Sequence, residues 1–200
     1  MKGEKGRICM IKELNLSQYA KKYDLEEILI YRPIAKKIYE DVIHDISLLS
    51  SETILKCSFQ NVEMCDVSFS DGFIINLQKY VMNCEKAMMI ITDANETVQE
   101  NLEAALSLRN KQDHSKICLL FYQNNDYRII GDLEKNLKES FELVKNLKEL
   151  TARELAQRFN IEINSASNRL KKLFNLRLLL RQELIDESGR QHLYYIPSIK

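Results

Sequence analysis

The chain is poor in the residues from which most catalytic and secreted proteins build their sites. Only five glycines occur in 200 residues: Gly3, Gly6, Gly72, Gly131 and Gly189. They make neither a phosphate-cradling loop nor a dinucleotide fingerprint, both of which need glycines clustered after a strand. The three histidines (His44, His114, His192) lie far apart, and none has a helical partner four residues away. Five cysteines (Cys9, Cys57, Cys65, Cys84, Cys118) include no Cys-x-x-Cys pair. An odd, unpatterned set excludes a disulfide framework or zinc ribbon and implies free thiols in a reducing cytoplasm. No apolar run approaches the roughly 18 residues of a membrane span, and the charged start Met1–Arg7 leads into no signal-peptide core. Asp66, Asp71, Asp93 and Glu96 could converge at strand ends, where open α/β sheets bind ligands, but each also suits a helix cap. These absences lead to the expectation of a cytoplasmic, non-enzymatic protein with no metal, no cofactor and no membrane association.

What is present is concentrated near the C-terminal end. Residues 151–200 hold nine Lys/Arg and five Asp/Glu, a difference of +4, so the preceding 150 carry −4 on a chain of zero net charge. A basic module on a neutral chain is the electrostatic footprint of a nucleic-acid contact. Thr151 and Glu154 form a capping box for a short helix ending at Phe159, with Leu155, Ala156 and Phe159 on one face. Asn160 suits the left-handed residue that ends it. After the turn Asn160–Asn164, a second helix from Ser165 to Phe174 buries Ala166, Leu170, Leu173 and Phe174. Asn164, Ser165, Asn168 and Lys172 then project outward with Lys171 beside them, and Ser167 and Arg169 lie on the flanks, toward a backbone or an internal carboxylate. Asn can pair bidentately with adenine, Ser can bond several base edges, and Lys neutralises phosphate. A strand Leu178–Ile185, a turn Asp186–Arg190 and a returning strand Gln191–Ile196 complete the segment. Helix, turn, helix and hairpin in this order resemble the winged helix-turn-helix superfamily. The resemblance implies double-stranded DNA as partner and a wing at Gly189, with Arg190 and His192 touching the minor groove or phosphates. Modules of this kind also grip proteins.

Upstream, helices and strands alternate. Pro33 starts a helix striped by Ile34, Ile38, Val42 and Ile46, and Ile54–Phe59 reads as a strand. Ser68–Asn83 reads as a helix with Phe69, Phe73, Leu77 and Val81 four residues apart. Ala87–Ile91, Lys116–Tyr122 and Tyr127–Gly131 read as strands, Glu96–Asn110 as a helix, and Ile8–Ile11 as a short edge strand. This alternation predicts an α/β layer. Tyr31–Lys37, Phe59-Gln-Asn-Val62 and Val67-Ser-Phe-Ser-Asp71 resemble, across about residues 28–122, the STAS-like domains of bacterial regulators. Those domains carry an Arg-x-x-Ala helix start, an Asp-Phe-x-x-Val strand end and a Ser-x-Ser-Phe-x-Asp/Glu helix start. Here Ser58 stands in place of Asp. The resemblance implies a Ser at the last helix start that is phosphorylated to switch partners, at Ser68 or Ser70. Alternatively Ser68 simply caps that helix, with Asp71 completing a capping box.

Three segments are therefore expected: an α/β STAS-like regulatory domain over 1–131, a connecting helix over 132–150 and a winged helix-turn-helix over 151–200. Leu133, Leu137, Phe141, Val144 and Leu147 stripe the connecting helix, and no Gly, Pro or Ser-rich linker follows it. A stiff helix shared by both domains, or paired with its copy in a homodimer, is the expectation. Two functions remain open. One is a sequence-specific DNA-binding transcriptional regulator whose α/β domain senses a ligand or regulatory protein partner. The other is a partner-switching adaptor whose C-terminal module binds protein.

Overall fold

A computed structural model of the chain describes residues 10–25, 27–47, 52–114, 116–186 and 189–199. Ile8 and Cys9 of the expected first strand, Glu187 and Ser188 of the expected hairpin turn, and Lys200 lie outside the described residues.

The chain runs β1 (Met10–Asn15), α1 (Leu16–Lys22), β2 (Ile28–Leu29), α2 (Arg32–Ser47), β3 (Thr53–Ser58), β4 (Met64–Cys65) and α3 (Val67–Ser70). A π-helical turn, Asp71–Ile75, carries α3 into α4 (Asn76–Met82). Then follow β5 (Ala87–Thr92), α5 (Glu96–Asp113), β6 (Leu119–Gln123), β7 (Asp126–Ile130) and α6 (Lys135–Leu147). The last elements are β8 (Glu149–Thr151), α7 (Ala152–Phe159), α8 (Ile163–Asn175), β9 (Leu180–Asp186) and β10 (Gly189–Tyr195).

The molecule is mixed α/β. Its main sheet has the order β1-β3-β5-β6-β7, parallel except for β7, which returns antiparallel along β6. Every residue of β5 is buried, which is why Ala87–Ile91 reads as an unbroken apolar run: a central parallel strand is covered on both faces. Leu55, Cys57, Met89, Ile91, Leu119 and Phe121 face a core built with α1 to α5. Ile54, Met88, Ile90 and Leu120 face a second core built with α6 and the C-terminal fifty residues. Parallel strands that advance one neighbour at a time keep their crossover helices on one face, and the C-terminal segment closes the other.

The helix from Val67 to Met82 explains its own apolar spacing. Four residues per step overshoots the α-helical period, so Phe69, Phe73, Leu77 and Val81 would drift by about 120° along a pure α-helix. The π turn inserts one extra residue and absorbs most of that drift, and all four side chains are fully buried. The cap differs from expectation. Asp66, not Ser68, is the N-cap, accepting the Phe69 amide at 2.6 Å. Asp71 is turned inward to two arginines and completes no capping box.

The connecting helix is also shorter than expected. It ends at Leu147, Lys148 takes a left-handed φ of +70°, and β8 follows where helix was expected. The connection is therefore a break and a strand, not one rigid rod. Leu137, Phe141 and Val144 are buried in the second core, so the apolar stripe expected to meet a second copy is filled from within the chain. Beyond it, the capping box of Thr151 and Glu154 is formed and Asn160 is left-handed. Helix α8 starts at Ile163, earlier than expected, and β8-β10-β9 form a small antiparallel sheet. Among the described residues no helix is long and apolar enough to cross a membrane.

Candidate nucleic-acid interface

Helix α8 has one face committed to the core and one to solvent. Ala166, Leu170, Leu173 and Phe174 are buried, while Asn164, Ser165, Asn168, Lys171 and Lys172 are exposed. Ser167 and Arg169 are half-buried between them. The Arg169 guanidinium lies 5.8 Å from the Phe159 ring centroid, which ties α8 to α7 and takes up part of its cation.

The inner end of α8 is fastened to α4. Gln78, 1% exposed, donates from Nε2 to the carbonyls of Cys118 at 3.0 Å and Leu176 at 3.2 Å. Arg177, left-handed at φ +56° and 4% exposed, donates from Nη1 to the Phe174 carbonyl at 3.0 Å and from Nε to the Val81 carbonyl at 3.3 Å. Its charge thus faces the carbonyl ends of α4 and α8 together, where two helix dipoles favour a cation. Burial pushes its pKa down, yet a guanidinium remains charged at any ordinary pH. Sequence reasoning counted Arg177 only in the net charge of residues 151–200 and passed over Gln78. The flanking Leu176 and Leu178 were the signal that this arginine lies inside.

The same accounting shrinks the free positive charge of the segment. Arg181 stacks on Phe174, 4.2 Å from the ring centroid. Lys172 Nζ lies 3.6 Å from Glu134, and Arg190 is paired with Glu183 across the hairpin, Nη2 at 2.7 Å. His192, expected on an exposed wing, is half-buried with its ring edge-on to Tyr194, and its Nδ1 is buried with no hydrogen-bond partner among the described residues. Lys171, Arg153 and Arg158 are exposed on the helices.

In the α/β layer, the residues that carry the STAS-like resemblance touch one another. Asp71 binds Arg32 at the start of α2 and Arg109 of α5, Nε to Oδ1 at 2.6 Å. A Cβ placed on Gly72 would sit 2.9 Å from Ala35 Cβ. The Arg-x-x-Ala start of α2 is thus the docking surface for the π turn: the arginine holds Asp71 and the alanine leaves room for the Gly72 backbone. Ser70 is fully buried, its Oγ 3.2 Å from Cys65 Sγ, so as a phosphorylation candidate it is unreachable in this fold. Ser68 is half-buried and donates to both Asp66 oxygens at 3.0 and 3.1 Å. Burial holds the Cys65 thiol up at about 12 and Cys118 at about 11, so both stay protonated at neutral pH.

The four carboxylates considered at strand ends have separate duties. Asp93, at φ +60°, accepts from Ser58 Oγ and Thr92 Oγ1, both at 2.7 Å. Asp66 caps α3, Asp71 holds the arginines, and Glu96 opens α5 beside the cap Asn95. Among the described residues no group of three or more His, Cys, Asp or Glu could hold a metal ion. No known family model matches the chain, and no curated protein matches it.

Proposed function

We propose that the protein is a sequence-specific double-stranded-DNA-binding transcriptional regulator. In this reading α7, α8 and the β9–β10 hairpin act as a winged helix-turn-helix, and the α/β layer is a STAS-like regulatory part. One observation carries the reading: α8 is held in the core along one face and at its inner end, while Asn164, Ser165, Asn168 and Lys171 stand together in solvent. A rigidly seated helix with short hydrogen-bonding side chains toward its N-terminal end and a cation further along suits a major groove. Ser167 and Arg169 would flank the bases, while Lys172, Arg190 and His192 would reach phosphate only by leaving their present neighbours. Selection of bound sequences from a random DNA pool with the full chain, followed by a salt titration, tests this reading; absence of salt-dependent affinity contradicts it.

Two parts of the proposal are regulatory. Ser68 is the remaining phosphorylation candidate, although a phosphate there would compete with Asp66 for the first amides of α3. Incubation with a phosphate donor and a matching kinase, read by mass spectrometry, tests it, and a modification elsewhere removes it. A homodimer on paired half-sites would use a surface other than the apolar stripe of α6. Sedimentation of the full chain on its operator measures it, and a monomer there removes it.

A second reading has its own support. Ile163 (54% exposed) on α8 and Ile185 (82% exposed) on β9 place apolar side chains on the C-terminal segment's surface, as a partner-switching adaptor gripping protein would. Ile185→Ser separates the two: it weakens a protein complex and leaves DNA affinity nearly unchanged.

A further inference from the structure

Where α8 meets the α/β layer there is a cavity of about 240 Å³. Its floor is apolar: Met82 at the end of α4, Leu133 just before α6, Leu137 in its first turn, and Leu176 at the end of α8. Its rim carries two cations, Lys116 and Lys172, and two carboxylates, Asp132 and Glu134. Glu134 is the N-cap of α6, yet its side chain caps nothing. It is turned to the rim instead, with Oε1 2.6 Å from Lys116 Nζ and Oε2 3.6 Å from Lys172 Nζ. Lys116 first, and then Lys172, hold the Glu134 carboxyl below the usual carboxylate range, so it is charged at neutral pH.

The volume lies below the usual span of drug-sized pockets, which limits the occupant to roughly ten heavy atoms. A simple anion would meet Asp132 and Glu134, and a simple cation would meet Lys116 and Lys172. A small molecule with both charges at one end and an apolar body at the other satisfies the rim and the floor together. We propose that this cavity binds a free α-amino acid with an apolar side chain, of which L-leucine is the test case. Its carboxylate replaces that of Glu134 between Lys116 and Lys172, the released Glu134 holds the ammonium together with Asp132, and its side chain rests on Met82, Leu133, Leu137 and Leu176. Two of those walls, Lys172 and Leu176, belong to α8, and Met82 belongs to α4, the helix that Gln78 and Arg177 fasten to α8. Occupancy therefore bears on the seating of α8 and on DNA affinity, a consequence that rests on the DNA-binding reading above.

Calorimetric titration of the full chain with L-leucine, without DNA, tests the site. One saturable site per chain is expected. Glycine, 4-methylpentanoate and 3-methylbutylamine, each lacking one of the three recognised parts, should bind about tenfold or more weakly. Lys116→Gln, at an exposed position that leaves folding intact, should weaken leucine about fivefold without weakening 3-methylbutylamine. No saturable binding of leucine, equal binding of 4-methylpentanoate, or unchanged affinity in Lys116→Gln would overturn the proposal. A chain that binds leucine but not DNA keeps the site and loses only the DNA reading. A chain that binds DNA but not leucine loses the site alone.

Discussion

Arg177 and Gly72 show how single residues set the geometry on which the rest depends. Arg177 supplies donors to the last turns of two helices, so Arg177→Met keeps much of the apolar stem while leaving the Val81 and Phe174 carbonyls without them. Loss of about 1–3 kcal/mol is expected in denaturant unfolding, and an unchanged midpoint would mean that water replaces the guanidinium at no cost. Gly72→Ala should cost about 1–3 kcal/mol through its contact with Ala35, partly offset by the better helix propensity of alanine. Ala35→Gly alone should cost about 1 kcal/mol of helix propensity, the double variant should lose less than the sum of the two single losses, and additive losses would show that the two sites do not touch. Little of this was legible in the sequence. Arg32, Ala35 and Asp71 stood out as a resemblance, but their contact joins α2 to the π turn and is completed by Arg109 of α5, and no local rule pairs residues so far apart.

At the scale of elements, local chemistry decided what could be read. Thr151, Glu154 and Asn160 fix both ends of α7 through short-range hydrogen bonds and a left-handed residue, and the buried face of α8 follows the helical period of its leucines. The end of α6 was not legible. Its break is the left-handed Lys148, and β8 exists because β10, more than forty residues later in sequence, pairs with it. The candidate site was half legible for the same reason: the outward residues of α8 follow from periodicity, whereas the pairing of Lys172 with Glu134 and of Arg190 with Glu183 needs the tertiary fold. Two substitutions on α8 should separate base reading from phosphate contact. Asn168→Ala should relax preference at one base position by about 1–3 kcal/mol, while Lys171→Ala should weaken all sequences alike and reduce the salt slope by about 1. Competition binding with single-base operator variants distinguishes these outcomes, and a uniform loss in Asn168→Ala would place that residue on the backbone.

For the molecule as a whole, the second core is the deciding feature. Ile54, Met88, Ile90 and Leu120 of the main sheet share it with α6, α7, α8 and the C-terminal hairpin. Removing the last fifty residues would uncover one face of a central sheet, and the fifty residues alone would uncover its counterpart. The full chain should therefore unfold in one cooperative transition, with tyrosine fluorescence and far-ultraviolet circular dichroism giving the same midpoint. Two separated transitions would mean that the C-terminal segment folds independently. The α/β layer also has a physical route to α8, since a change in α4 reaches the helix through the bonds of Gln78 and Arg177.

The most direct measurement is the DNA affinity of the intact chain across salt concentration, made on sequences selected from a random pool. With Arg158 and Lys171 as phosphate contacts, and Lys172 as a third once it leaves Glu134, log K should fall against log salt with a slope of about −2 to −3 per chain. The selected sequences should also bind at least about a thousandfold tighter than bulk DNA. A flat salt dependence, or a pool that yields no preferred sequence, would contradict the assignment of α8 as a DNA-reading helix.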